Sequence, residues 1–360
     1  GATSCVDDRV SCQGEACSLE NTGGGATGGG GAGGSGGGAG GGGAGGGPAA
    51  LDCSALEALY EPMTGEPHLE TIAGLEGYYA DRPYLAVTAS QAPTSSLYEL
   101  DGGVLVPTWP LASAAVGLDV ASFSSSLRFA VAEEDGVELF DEDFWIVTAT
   151  SQPHSDVVFD ATGAVAFAIA GPKLSRLQQT SFSTETSFMT PQGGPALSAL
   201  SRAAGRVFAA GSHVCSHDLG DLTTSCGAQL VAPWVDVWAE SATKLVGIGA
   251  DFVDVTNEAG ALIGPHDVLP HAAAGVLSLR KVRGSAANSP RYFVAGGLTD
   301  GTGNTTAYVA RGTPLASSID WEECALPGTT GIVDLWITSD GSELYFVTDA
   351  GAAYRLPAGS

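Results

Sequence analysis

Basic residues are scarce in this chain. Its 360 residues carry 14 Lys and Arg against 40 Asp and Glu, a formal charge of −26. A surface of that sign repels phosphate backbones, which excludes nucleic acid as a partner. Long apolar runs are also missing. None approaches the roughly 18–20 residues of a membrane-spanning helix, so a lipid anchor would be the route to a membrane. The seven cysteines contain no zinc-ribbon, CxxC redox or CxxCH haem spacing. Outside the Gly-rich stretch there is no G-x-S-x-G elbow, H-E-x-x-H, Walker loop or strand-flanked G-x-G-x-x-G. What remains says more about architecture than about activity.

Glycine, by contrast, is abundant, with 52 residues, and much of it lies in Gly23–Gly47. A Gly-rich segment of this length behaves as a disordered, flexible coil with a root-mean-square span of roughly 25–30 Å. It separates a Cys-containing head (1–22) from a lead-in segment (48–70) and a folded region (71–360). Hydrophobic residues make up 44% of the chain, enough to fill a core downstream of the spacer. The spacer's plain role is to hold that folded domain away from an anchor. Packing of the Gly run in an assembly would be the sharper alternative.

Short local cysteine spacings in a strongly acidic chain point to disulfides in an oxidising, extracytoplasmic compartment. The expected pairs are Cys12 with Cys17, Cys215 with Cys226, and Cys53 with Cys324. Cys5 is left over. The opening Gly1-Ala2-Thr3-Ser4-Cys5 resembles the small-residue run before the lipidated cysteine of bacterial lipoproteins, which implies lipid attachment at Cys5 and display at the cell surface or outer membrane. Otherwise an export signal is cut before Gly1, the protein is secreted, and Cys5 pairs with Cys12 or Cys17. Asp52–Tyr60 reads as a short helix capped by Asp52.

From residue 70 onward one unit repeats: strand, turn, strand, turn, strand. Val333–Ile337, Ser339-Asp340-Gly341, Glu343–Val347 and Ala353–Leu356 form its clearest copy. Related units open at Glu76, Asp119, Asp156, Ser198, Asp236, Ser278 and Asp334, a mean spacing of about 43 residues, the period of a four-stranded propeller blade. The interval before Asp334 is the longest and predicts a loop insertion between Arg291 and Ile332. The stretch Ser339-Asp340-Gly341-x-Glu343-Leu344-Tyr345-Phe346-Val347 resembles the turn and strand of WD40-like and TolB-like blades in bacterial β-propellers. The fold expected is all-β, a propeller of seven blades, or six if the first unit is incomplete. The last unit stops after three strands, so residues 67–73 are expected to add the fourth and close the ring.

Equivalent positions on innermost strands line a propeller's channel. Glu76, Asp119, Asp156, Asp236 and Asp334 would then form an acidic ring, which suits a hard cation such as calcium. The plainer alternative has each Asp binding backbone amides, repeating because the fold repeats. The acidic segment 133–143 is expected to be a hairpin with solvated tips, and Asp300–Asn304 a turn. His213-x-Cys215-x-His217 could bind a transition metal, but Cys226 offers the thiol a disulfide instead. Arg280, Lys281 and Arg283 form the main basic cluster and are expected in a loop balancing local acid. Taken together, these features point to an exported, stalk-borne surface module that binds a protein or glycan. A calcium-dependent propeller hydrolase or lactonase, implied by the propeller resemblance, and a component of an extracellular assembly are the alternatives.

Overall fold

A computed structural model describes residues 10–13, 16–19 and 51–358, apart from 92–93, 143, 151–152, 179–180, 191–192, 270–274, 286–289 and 316. Cys5 and the spacer 23–47 lie outside the described residues. In the head, strands Val10–Gln13 and Ala16–Leu19 pair antiparallel with Cys12 opposite Cys17. The remainder of the description concerns the unit from Gly47 to Ser360.

That unit is all-β: seven four-stranded antiparallel sheets follow one another along the chain as the blades of a propeller. Blade 1 spans His68–Leu111, blade 2 Ala115–Thr150, blade 3 Asp156–Ser187 and blade 4 Leu197–Gln229. Blade 5 spans Asp236–Val268 and blade 6 Val276–Leu326. Blade 7 takes three strands from Ile332–Pro357 and its fourth from the front of the chain. The second strand of each blade is covered by neighbours on both faces, so it reads as a continuous apolar run. Leu127–Glu133, Val165–Ala170 and Val207–Gly211 are buried throughout. Seven apolar clusters result, each spanning one blade junction. The junction of blades 2 and 3 is filled by Ala121, Ala130, Ala132, Ala166 and Ala168 around Leu139, Phe159 and Leu177. Small side chains there let the sheets approach closely.

The ring closes differently from expectation. Asp52 does cap, but it caps a turn: its Oδ1 accepts Ser54 N–H at 3.0 Å. No helix follows. Glu57–Tyr60 is a strand, paired with the last strand of blade 7 through Glu57–Arg355 and Ala58–Tyr354. An open edge at blade 7 outweighs the local helical preference of a nine-residue segment. Residues 67–73 are therefore free to begin the innermost strand of blade 1, His68–Leu75, rather than the closing strand. Cys53, just before the closing strand, is disulfide-bonded to Cys324 in the outer strand of blade 6, 271 residues away. In the chain-entropy picture a loop of that length is worth about 5 kcal/mol. Arg311, 1% exposed, reinforces the same corner. It donates to the Ala358 carbonyl and, at 2.6 Å, to Glu322, which also accepts Leu51 N–H at 2.8 Å. The second disulfide, Cys215–Cys226, staples two neighbouring strands of blade 4.

One further expectation is corrected and one is met. The extra length before Asp334 is not an inserted loop: blade 6 has longer strands, of ten, nine, ten and eight residues. The segment 133–143 is a hairpin whose tip, Glu134-Asp135, is exposed as expected, while Glu133, Glu138 and Asp141 behind it are buried. Asp141 pairs with Arg128 at 3.3 Å. Burial, and then the neighbouring Glu138 carboxylate, push Glu133 up to about 8. Asp300 behaves as expected, its Oδ1 accepting Thr302 N–H at 2.8 Å and Asn304 N–H at 3.1 Å within a turn.

Candidate functional site

The innermost strands converge on an axial cavity of about 290 Å³. Its walls include Asp119, Asp156 and Asp334, together with Arg202, Lys281, Arg283, Trp238 and Trp336. Asp236 stands beside them, bonded to Arg283 at 2.8 Å. Glu76 does not belong to this group. It follows the innermost strand of blade 1 and accepts Ser339 N–H at 2.9 Å in an exposed loop.

Each acid does the same mechanical job. It reaches across a blade junction and accepts a backbone N–H from the next innermost strand. Asp119 holds Phe159 at 2.8 Å, Asp156 holds Leu200 at 2.7 Å, Asp236 holds Val282 at 2.8 Å and Asp334 holds Ile72 at 2.9 Å. The second oxygen of Asp119, Asp156 and Asp334 accepts the N–H of the following residue. Innermost strands diverge from the axis and leave such N–H groups without a ladder partner, and a carboxylate one junction away supplies it. Where no Asp is available, other groups bridge. Ser201 Oγ accepts Ala239 N–H at 2.8 Å between blades 4 and 5. Glu70 accepts Ala115 N–H at 3.2 Å between blades 1 and 2. Lys281 meets Asp334 at 3.3 Å between blades 6 and 7. All seven junctions are thus tied near the axis.

Lys281 and Arg283 are the second part of the arrangement. They lie on the innermost strand of blade 6, not in a loop, and as residues two apart on a strand they share a face. Arg280, which precedes them where the strand register shifts, instead pairs with Asp349 at 2.6 Å. Burial favours the neutral forms of Lys281 and Arg283, but the surrounding Asp236, Asp334 and Asp156 reverse this and both pKa values are raised. Burial raises Asp119, opposed by Arg202 and by the Phe159 and Val120 amides. Burial pushes Asp156 up to about 6, opposed first by Lys281. The acids and cations therefore form one mixed cluster. Among the described residues no three His, Cys, Asp or Glu side chains converge as a metal would require. At His213-x-Cys215-x-His217 the sulfur is committed to Cys226.

Two tryptophans complete the walls. Trp238 and Trp336 each stand two residues after a bridging Asp. Each indole lies against a glycine of the following blade, Gly284 and Gly74 respectively, where an added Cβ would come within 2.2 Å and 2.5 Å of the ring. The glycines let the rings sit flat on the neighbouring strand, beside the charged cluster. Asp119, Asp156, Asp236 and Asp334 lie on innermost strands as the repeat suggests, whereas Lys281 and Arg283 were expected in a loop, and Ser201 and the two tryptophans were not singled out. The Asp-x-Trp spacing shared by 236–238 and 334–336 was the available signal.

No known protein-family model matches this chain, and none of the curated proteins is similar to it. No helix among the described residues is long and apolar enough to cross a membrane.

Proposed function

We propose that this protein is an exported binding module. A seven-bladed propeller is carried on the Gly spacer, held at the cell surface through lipid on Cys5, and binds a glycan at the axial cavity. The observation that carries the reading is the composition of the cavity wall: two indoles, Trp238 and Trp336, beside acids and cations whose mutual positions are fixed. An indole offers a flat apolar surface to the C–H face of a sugar ring. Carboxylate oxygens that already accept one N–H keep a second lone pair for a sugar hydroxyl, and Arg202, exposed at the wall, retains further donors. A volume of about 290 Å³ suits one saccharide unit of a longer chain rather than a protein surface. Both disulfides within the propeller fit an oxidising compartment.

The test is binding of the full chain to an array of microbial and host glycans, followed by calorimetry on any hit. Saturable one-to-one binding that weakens at least tenfold in Arg202→Ala and Trp336→Phe, with unchanged near-ultraviolet dichroism, supports the reading. Absence of glycan binding, with surface cross-linking to a protein instead, refutes it. Loss of cell-surface display on Cys5→Ala tests the anchor separately.

A further inference from the structure

A second cavity, about 590 Å³ in volume, opens on the flank of the ring between blades 4 and 5, far from the acid-base cluster in chemistry. Its walls are mainly apolar: Ala228, Leu230, Phe252 and Leu262 among them. At its mouth the apolar side chains are not covered. Val231 is fully exposed, and Leu262 is 57% exposed. Contiguous exposed apolar surface at a concavity marks a place where something binds.

Four polar side chains, Gln229, Asp254, Thr256 and His266, share this largely apolar wall, and His266 is held in a fixed orientation. Asp254 on the third strand of blade 5 faces His266 on the fourth. His266 Nδ1 lies 2.6 Å from Asp254 Oδ1, and the other carboxylate oxygen accepts the Trp234 indole N–H at 3.1 Å. Trp234 is itself 1% exposed, so the anchor is rigid. With the Nδ1 proton donated to Asp254, the neutral ring presents Nε2 as a lone-pair acceptor. The side chain is 52% exposed and lines the cavity, with the Phe252 ring 5.1 Å away. On the same wall the Thr256 hydroxyl is sealed from solvent and has no hydrogen-bond partner, so the protein alone does not satisfy all the polar atoms here.

The chemistry of an occupant follows from these groups. An anion is disfavoured by Asp254 and by a chain charge of −26. A compact cation would leave its hydration shell for apolar walls and a carboxylate whose two oxygens are already engaged. A neutral apolar body with one donor group fits both the walls and the acceptor. We propose that the flank cavity binds a small neutral aromatic alcohol, its ring against Phe252 and Leu262 and its hydroxyl donated to His266 Nε2. This site is independent of the axial cavity and of any glycan bound there.

The test titrates the full chain with 2-naphthol and with naphthalene, which has the same rings without the hydroxyl. The expected result is one-to-one saturation by 2-naphthol with affinity at least about tenfold above that of naphthalene. His266→Phe keeps an apolar ring at an exposed position and should bring the two probes within about twofold of each other. Leu262→Arg at the mouth should weaken both, while Arg202→Ala at the axis should weaken neither. Equal affinity of the two probes for the native chain, no saturation by either, or an unchanged 2-naphthol affinity in His266→Phe would overturn the proposal.

Discussion

The two cavities spend their polar atoms in opposite ways. At the axis every bridging Asp is committed to a backbone amide of the next blade, and Lys281 and Arg283 among them are committed to the carboxylates. On the flank of blades 4 and 5 one Asp accepts a buried indole N–H and orients one His, and the surrounding wall is largely apolar and open. The first arrangement is the means by which separate sheets become a ring, and its ligand capacity is what remains after that work. The second contributes little to holding the ring together. Charge in a protein interior is thus not by itself a mark of function, and an apolar flank is not by itself inert filler.

The sharpest way to break this contrast is at Asp334. Asp334→Ala strands the Ile72 amide and leaves Lys281 without its close partner, and it should cost about 3–5 kcal/mol in urea unfolding. The double change Asp334→Asn with Lys281→Met keeps an acceptor for Ile72 and removes the orphaned cation, so most of that loss should return. If the double variant is as unstable as Asp334→Ala, the ion pair is not the reason for the cost. No substitution at His266 should approach this magnitude.

A pH series sharpens the comparison next. Asp156 titrates at about 6 in the folded chain against an ordinary value of 3.8, so folding favours its neutral form. The stability this contributes is complete below pH 3.8 and is lost as pH rises through about 6. It amounts to about 1–3 kcal/mol. Asp156→Asn should therefore flatten that part of the stability profile while preserving an acceptor for the Leu200 amide. A profile of unchanged slope between pH 4 and 6 would show that Asp156 is ionised throughout.

The smallest effect is expected on the flank. Because the Thr256 hydroxyl has no partner, Thr256→Val removes an uncompensated polar atom and should leave stability unchanged or raise it by up to about 1 kcal/mol. A clear loss of stability would mean that the hydroxyl is bonded after all.

The blade count was legible in the sequence because the same physical demand recurs seven times. Asp119, Asp156, Asp236 and Asp334 open their units for one reason, an amide to satisfy in the next blade, and the runs that follow them are buried on both faces. Glu76 was misplaced because Leu75-Glu76-Gly77 imitates such an opening, whereas the true first strand begins at His68 and bridges through Glu70. Ser201 was hidden because a hydroxyl replaces a carboxylate and stands three residues after Ser198, where the repeat placed the opening of its unit. The closing strand Glu57–Tyr60 could not be read locally, since its partner lies at the other end of the chain. The flank site was the least legible: Leu230, Asp254 and His266 come from three separated segments, and nothing in any one of them signals that they meet.

The placement of Cys53 has a mechanical consequence. If the chain ahead of the ring is pulled, tension arriving along the backbone reaches Cys53 before it reaches Glu57. The covalent bond diverts it to Cys324 and into the long strands of blade 6. The four-residue strand that completes blade 7 is left outside the load path. A ring whose weakest hydrogen-bonded edge carries no force can be tethered by that end and resist shear without being unzipped.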